Sequence, residues 1–481
     1  MGTLTIEEII DATGGRVVHG NSNGTFFTGV SIDSRSIGEG ELFIALRGER
    51  FDGHDFLMDA LVRGRGAVVS APPVAPAKGK TVVYVKNTLK ALQDIARHVR
   101  LKRRPTVIGI TGSNGKTTTK ELIASILGIH HKVMKNSGNL NNQIGLPMSL
   151  IRAEEGDEFA VMEMGASGRG DIKELCGIAV PDYGVITNIG PAHLEGFGSL
   201  EMVRNTKLEL YDAVKTIALN ADDSFLMEGV SERLERGKGP DIITYGMSDA
   251  ADVYARDIEL EERHSVFTLC TGDKCVNVAM NVPGRFNIYN ALAAAAVCAA
   301  LGIKPEDIKA GIESFAGVPM RLELKELLGA TVISDVYNAN PASMEEAVKE
   351  LVRLRKDRAI AVLGDMLELG VYAEEAHRRL GRWMSELPVD VLIAVGEMMG
   401  KAAEEFSASR GKSPESGRVV AASSSSEARR ILLGICREGD TILVKGSRGM
   451  CMEKVLESNS GNSCSSSGDN VTGLREMGNA L

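Results

Sequence analysis

Cysteine offers little to build with. The seven, at positions 176, 270, 275, 298, 436, 451 and 464, are odd in number and scattered, with no C-x-x-C pair among them. Neither a zinc site nor a disulfide framework is expected from such spacing. Positive charge is also in deficit: 55 Lys and Arg face 64 Asp and Glu, a net charge of −9. Sequence-independent phosphate binding draws on Lys and Arg, so a general nucleic-acid binder is excluded. No apolar run is long enough to cross a bilayer, which takes about 20 helical residues. The longest weakly polar stretch, Ala291 to Ile303, reads as a buried Ala-rich helix. The N-terminal residues are acidic and amphipathic, without the basic region and apolar core of a secretory signal, so the chain is expected to be cytoplasmic. What remains is the composition of a globular enzyme, with 43% hydrophobic and 25% charged residues, and wholesale disorder is excluded. Glycine, at 53 of 481 residues, exceeds its average usage of about 7% and announces tight turns and close backbone approaches.

At roughly 150 residues per domain the length suggests about three domains. Residues 1–104 read as a small α/β unit. A helix capped by Thr5 with Glu8 ends at Gly14-Gly15, and short strands follow near Phe26 to Ile32 and Leu42 to Ala45. A Pro-rich turn at residues 72–76 precedes a strand at Thr81 to Val85, and a basic helix stops at Pro105. Residues 105–317 alternate apolar strands with helices, the mark of a parallel sheet covered on both faces. Gly317-Val318-Pro319 reads as a hinge into a second, doubly wound alternation over residues 318–457. Residues 458–481 are polar and Ser/Gly-rich and are expected to be a disordered tail.

The sharpest motif is Thr111-Gly112-Ser113-Asn114-Gly115-Lys116-Thr117-Thr118, which follows the apolar run Val107 to Ile110. Glycines let successive backbone N–H groups converge on phosphate oxygens. The helix N-terminus adds partial positive charge, Lys116 a full one, and the Thr117 hydroxyl suits Mg²⁺. The strict Walker spacing needs glycine at position 110, which is Ile, so the loop departs from that pattern. Glu163, in Met162-Glu163-Met164-Gly165-Ala166, sits at a strand's carboxyl end, the usual ligand side, as a candidate Mg²⁺ ligand. His193 lies just past the next strand in Asn188-Ile189-Gly190-Pro191-Ala192-His193. Asp335 and Glu368 each follow later apolar strands, Asp335 within the denser polar cluster Asp335-Val336-Tyr337-Asn338-Ala339-Asn340-Pro341.

Taken in order, these motifs resemble those of the Mur ligases, the ATP-dependent amide-forming enzymes of peptidoglycan precursor synthesis. The resemblance spans residues 1 to 457 and includes Asn287 and Asn290, Arg321, and Lys207 at the end of Leu200-Glu201-Met202-Val203-Arg204-Asn205-Thr206-Lys207. It implies an N-terminal nucleotide-sugar domain, a central P-loop ATPase-like domain and a C-terminal Rossmann-like domain. The stretches Asp335 to Met344 and Gly364 to Gly370 resemble the dipeptide-adding branch. The Asp-Asn-Pro-Arg tetrapeptide of the preceding branch is absent.

The chemistry so implied is activation of a peptide carboxylate by ATP as an acyl phosphate, followed by amine attack. The partners implied are UDP-N-acetylmuramoyl-tripeptide and D-alanyl-D-alanine, handled by a monomer without nucleic acid or membrane insertion. The resemblance puts ATP on Gly112, Ser113, Asn114, Gly115, Lys116, Thr117, Thr118, Asn287, Asn290, Arg321 and Asp335. It puts two Mg²⁺ ions on Thr117, Glu163, His193 and Lys207, with Lys207 carrying a carbamate. Lys116, His193 and Lys207 become the catalytic set, and Ser31, Asp33, Ser34, Arg35, Asn338 and Asn340 the substrate contacts. Lys445-Gly446-Ser447-Arg448, past the last strand, is positioned to face substrate. Two other readings compete: a folylpolyglutamate synthase or another Mur branch, and a nucleotide-gated switch that hydrolyses ATP. The Asn-Ala-Asn-Pro stretch and the N-terminal domain argue against the first. A set assembled for two metal ions, where a switch needs one, argues against the second.

Overall fold

The structure is a computed structural model that describes residues 3–21, 24–48, 51–71, 79–410 and 417–457. The Pro-rich turn at 72–76 and the tail from 458 lie outside the described residues. The fold is α/β in three units, each built around one main sheet.

The N-terminal helix Ile6–Thr13 begins where the sequence demands. Thr5 Oγ1 accepts from the Glu8 N–H at 3.2 Å and Glu8 Oε2 from the Thr5 N–H at 2.9 Å, a reciprocal cap. Five strands follow in the spatial order Arg16–His19, Thr81–Tyr84, Gly66–Val69, Leu42–Ile44, Val30–Ser31, parallel apart from the first. The helix Thr88–Arg103, capped by Asn87, joins this unit to the next. Its apolar side, including Ile95 and Val99, packs with Ile172 and Leu175 of the central unit. Arg100, 7% exposed, donates to the carbonyls of Ala179 and Val180 and pairs with Asp182 at 2.8 Å. Arg104, in the left-handed region, and Pro105 separate this helix from the strand Thr106–Thr111.

The central sheet has nine strands. Seven are parallel, in the order Val133–Lys135, Phe159–Glu163, Thr106–Thr111, Tyr183–Ile186, Thr216–Asn220, Asp241–Gly246, Val253–Leu260. Strands Ser265–Thr271 and Lys274–Met280 then extend it as an antiparallel ribbon. Strand-helix alternation does not announce this ribbon. Much of it is buried on one face only, so it lacks the continuous apolar runs of the inner strands.

The ribbon also corrects the expectation for cysteine. Cys270 and Cys275 lie directly opposite each other across its turn and form a disulfide, with Cα atoms 4.1 Å apart. A two-stranded fold-back brings together residues five apart, a proximity that spacing rules for C-x-x-C pairs do not capture.

The C-terminal sheet runs Glu323–Leu327, Ala330–Asp335, Thr441–Lys445, Ala359–Gly364, Val391–Val395, Arg418–Ala422, parallel except for the first strand. Ile333, Leu363, Leu392 and Leu443 are fully buried, and each such side chain contributes about 1.5–3 kcal/mol over exposure. Among the described residues no helix is long and apolar enough to cross a membrane. Strand ends from the central and C-terminal sheets open on one shared cleft.

Candidate active site

The cleft holds about 820 Å³ and is lined by residues of both sheets. On the central side, Gly112 and Gly115 have positive φ, and neither has room for a side chain. A Cβ on Gly112 would stand 1.8 Å from Thr187 Oγ1, and one on Gly115 2.2 Å from Asn290 Oδ1. The loop therefore depends on glycine to reach its shape. It delivers Lys116 and Thr117 to the first turn of the helix Lys116–Leu127. Lys116 Nζ folds back to donate to the carbonyls of Gly112 at 2.8 Å and Ser113 at 3.3 Å. Burial lowers its pKa, the nearby Glu163 charge opposes that shift, and Arg321 adds to it.

Glu163 closes the strand Phe159–Glu163 and is 3% exposed. Its Oε1 accepts from Asn141 Nδ2 at 2.8 Å, and its N–H donates to Asn136 Oδ1 at 2.9 Å. Its Oε2 is buried with no hydrogen-bond partner. An orphaned carboxylate oxygen in a cleft that the Thr117 hydroxyl also lines is a hard, anionic donor set, and the chemistry fits a divalent cation such as Mg²⁺. Asn136 is fully buried and also donates to the Leu140 and Glu163 carbonyls. Sequence reading missed both asparagines, although the crowding of Asn136, Asn139, Asn141 and Asn142 into one loop was a visible signal.

Lys207 ends the helix Leu200–Lys207 and is 2% exposed. Burial, and after it the Lys116 charge, push its pKa well below the ordinary lysine value. A lowered lysine pKa favours the uncharged, nucleophilic amine, the form that carbamate formation requires. His193, also in the cleft, sits at φ 52 with Nδ1 2.6 Å from Glu368 Oε2. The His193 hydrogen bond holds the Glu368 carboxyl below its usual value, against partial burial.

Asn287 and Asn290 occupy the first turns of the buried helix Arg285–Ala300, whose alanines let it lie close against the phosphate-loop helix. Asn287 Nδ2 donates to the Pro283 carbonyl at 2.7 Å, and Asn290 Oδ1 accepts from Thr119 at 3.4 Å. Thr118 lines the cleft beside them.

The C-terminal side reaches across. Arg321 Nη2 donates to Thr117 Oγ1 at 3.1 Å while its guanidinium stacks 4.2 Å from the Tyr337 ring centroid. Asn340 Nδ2 donates to Asn114 Oδ1 at 2.8 Å, and the same Asn340 caps the helix Pro341–Leu354. Asn338 lines the cleft. Asp335 pairs with Lys445 at 2.5 Å, and Lys445 also donates to the Asn338 carbonyl. Both Lys445 and Arg448 line the cleft, but the Lys445 ammonium is buried on Asp335, whereas Arg448 is more open and pairs with Glu453 at 3.2 Å.

Ser31, Asp33, Ser34 and Arg35 are elsewhere. They belong to the N-terminal unit and do not line this cleft. Ser31 Oγ donates to the Asp33 carbonyl, and Arg35 forks onto the Asp33 carboxylate, holding its pKa low.

Known proteins share this arrangement. Residues 26–100 match the Mur ligase family catalytic domain, 110–298 the Mur ligase middle domain, and 320–448 the Mur ligase glutamate ligase domain. The UDP-N-acetylmuramoyl-tripeptide–D-alanyl-D-alanine ligase of Bacillus subtilis (strain 168) is 36% identical over 458 residues, covering 94% of this chain and 97% of its own. The crystal structure of MurF from Acinetobacter baumannii superposes with a TM-score of 0.87 at 32% identity, covering 95% of this chain and 98% of that one. The MurF ligase of Thermotoga maritima in complex with ADP gives 0.77 at 29% identity, covering 89% and 96%. With its phosphate loop, its two facing sheets and nearly its whole length matched, the chain belongs to the Mur ligase family.

Proposed function

We propose that the protein is an ATP-dependent ligase that joins D-alanyl-D-alanine to UDP-N-acetylmuramoyl-tripeptide, giving the UDP-sugar pentapeptide. The observation that carries this reading is the interlock of the phosphate loop with the Asn338-Ala339-Asn340 loop in one cleft, through Asn114 and Asn340. A nucleotide bound on one sheet thereby meets a substrate held on the other. The reading assigns residues 1–104 to the UDP-sugar, 105–317 to ATP and 318–457 to closure and the incoming dipeptide. The enzyme acts as a monomer in the cytoplasm, where nucleotide-sugars are made.

A carboxylate is a poor electrophile until its oxygen becomes a good leaving group. The substrate carboxylate attacks the γ-phosphorus and ADP leaves; the dipeptide amine then attacks the acyl carbon, and phosphate and a proton are released. Both partners of the first step are anions, and two unit charges about 4 Å apart repel by about 4 kcal/mol at an effective dielectric near 20. Lys116, released from the Gly112 and Ser113 carbonyls, turns its ammonium to the phosphates. The loop N–H groups bind the phosphate oxygens, and Arg321 and Asp335 reach the nucleotide from the C-terminal side. Asn287 and Asn290 shape the nucleotide pocket. Thr117 and Glu163 would hold one Mg²⁺, and His193 with a carbamate on Lys207 a second. These ions supply charge neutralisation between carboxylate and γ-phosphate. Ser31, Asp33, Ser34 and Arg35 bind the nucleotide-sugar on the N-terminal unit.

The test is phosphate release with Mg²⁺-ATP, UDP-N-acetylmuramoyl-tripeptide and D-alanyl-D-alanine, each omitted in turn. Release that needs both substrates, with a pentapeptide product by mass, supports the ligase. Release from ATP alone supports the switch.

A further inference from the structure

Glu368 has no part in the scheme above, yet it makes the shortest polar contact that His193 has. An imidazole presents a lone pair to a cation or accepts from a donor at one nitrogen only when the other carries the proton. A carboxylate on Nδ1 fixes the proton there and frees Nε2, as outer carboxylates do for ligating histidines generally. Here that carboxylate comes from a different sheet.

The surroundings hold Glu368 in place. It sits at φ 63, a left-handed conformation that L residues keep only when neighbours over-determine it. On one side, the Met366 N–H donates to His377 Nε2 at 3.0 Å and the Leu367 N–H to Ser447 Oγ at 2.8 Å, fixing the base of the loop on its own sheet. On the other, the Glu368 carbonyl accepts from the Glu195 N–H at 3.2 Å, so main chain and side chain both grip residues 193–195. Met366 and Leu369 share an apolar cluster with Leu194 and Phe197, and Tyr372 Oη donates to the Gly198 carbonyl at 3.3 Å. His193 itself stands at φ 52, so both members of the pair are held in uncommon backbone conformations that aim them at each other.

We infer that Glu368 is the positioning residue for His193, a carboxylate lent by the C-terminal domain that holds the proton on Nδ1 and leaves Nε2 free to take a cation in the cleft. His193 is then correctly presented only while the C-terminal loop is docked, and docking completes the ATP side of the site. This rests on the reading that His193 serves ATP-dependent ligation.

The experiment uses the full-length protein with ¹⁵N-labelled histidine. Ring spectra of wild type, assigned by loss of the signal in His193→Ala, are expected to show His193 protonated at Nδ1. In Glu368→Ala the Nδ1–H preference is lost, Mn²⁺ binding in the presence of ADP weakens by about 10- to 100-fold, and kcat falls by a similar factor. Glu368→Gln, whose amide oxygen still accepts from Nδ1–H, recovers much of both. The main-chain tie to Glu195, the Tyr372 contact and the apolar cluster do not use the Glu368 side chain and survive in each variant, so the loop stays docked and the Ala-to-Gln difference reads the acceptor on Nδ1. An unchanged tautomer and unchanged Mn²⁺ affinity in Glu368→Ala would overturn the inference. His193→Ala with full ligase activity would instead overturn the reading of His193 on which it rests.

Discussion

The two walls of the cleft are built differently. The central wall leaves groups without protein partners: Glu163 Oε2 is buried and unpaired, and Lys207 is buried with its pKa pushed down. The C-terminal wall has most of its charged groups already engaged, Asp335 with Lys445, Arg321 with Tyr337 and Thr117, Glu368 with His193, and leaves Arg321 Nε buried without a hydrogen bond. One wall is preorganised to receive charge, and the other holds its charges in internal and cross-cleft pairs that keep it docked. Binding energy from ligands is thus needed on the C-terminal side chiefly to exchange partners, and on the central side chiefly to fill sites.

The largest effect expected on this contrast is in stability. Lys445→Met strands the Asp335 carboxylate in a buried site and should cost about 3–5 kcal/mol in chemical denaturation, while adding Asp335→Asn should recover much of it. Equal costs for single and double variants would contradict the view of a wall satisfied from within. On the other wall, Lys116→Ala should leave folding nearly intact and lower turnover by at least about 10²–10³-fold, since it removes a donor aimed at developing charge. A comparable loss of stability with modest loss of turnover would erase the contrast.

Lys207 sharpens it through pH. Its folded pKa is depressed while the unfolded lysine keeps its ordinary value, so the unfolded chain binds more protons between the two. The resulting penalty is absent above the ordinary lysine pKa and grows as pH falls toward the lowered folded value. Lys207→Met should therefore be more stable than wild type near neutrality, the gap narrowing as pH rises, while ligase activity is lost. In Lys207→Ala, activity should return in part with a small carboxylate such as acetate, which can stand where a carbamate would. No pH trend in the stability difference would place Lys207's ammonium in solvent. The smallest effect belongs to Asn340→Ala, which removes a helix cap and the Asn114 contact. It should cost about 1 kcal/mol and raise the KM for ATP more than it lowers kcat.

Legibility differed between the two walls for the same physical reason. The phosphate loop, Glu163, His193 and the strand-helix alternation were readable because glycine geometry and apolar runs are local properties. The partners were not. That Asn141 holds Glu163, that Lys445 pairs with Asp335, and that Glu368 meets His193 are facts of which loops share a sheet edge, with sequence separations of 22, 110 and 175 residues. The antiparallel ribbon at residues 265–280 and its Cys270–Cys275 disulfide escaped because half-exposed strands carry a weak pattern and the pair is made by pairing register. The N-terminal contacts Ser31 to Arg35 were placed by family resemblance, and the cleft itself does not contain them.

The most direct test follows one oxygen. If UDP-N-acetylmuramoyl-tripeptide is labelled with ¹⁸O at its reacting carboxylate, an acyl phosphate carries that oxygen to phosphorus, and amine attack expels it with the phosphate. Inorganic phosphate bearing one ¹⁸O per turnover, dependent on D-alanyl-D-alanine, is the expected result. Unlabelled phosphate at the full rate of ATP consumption would show that water, and not the substrate carboxylate, attacks the nucleotide.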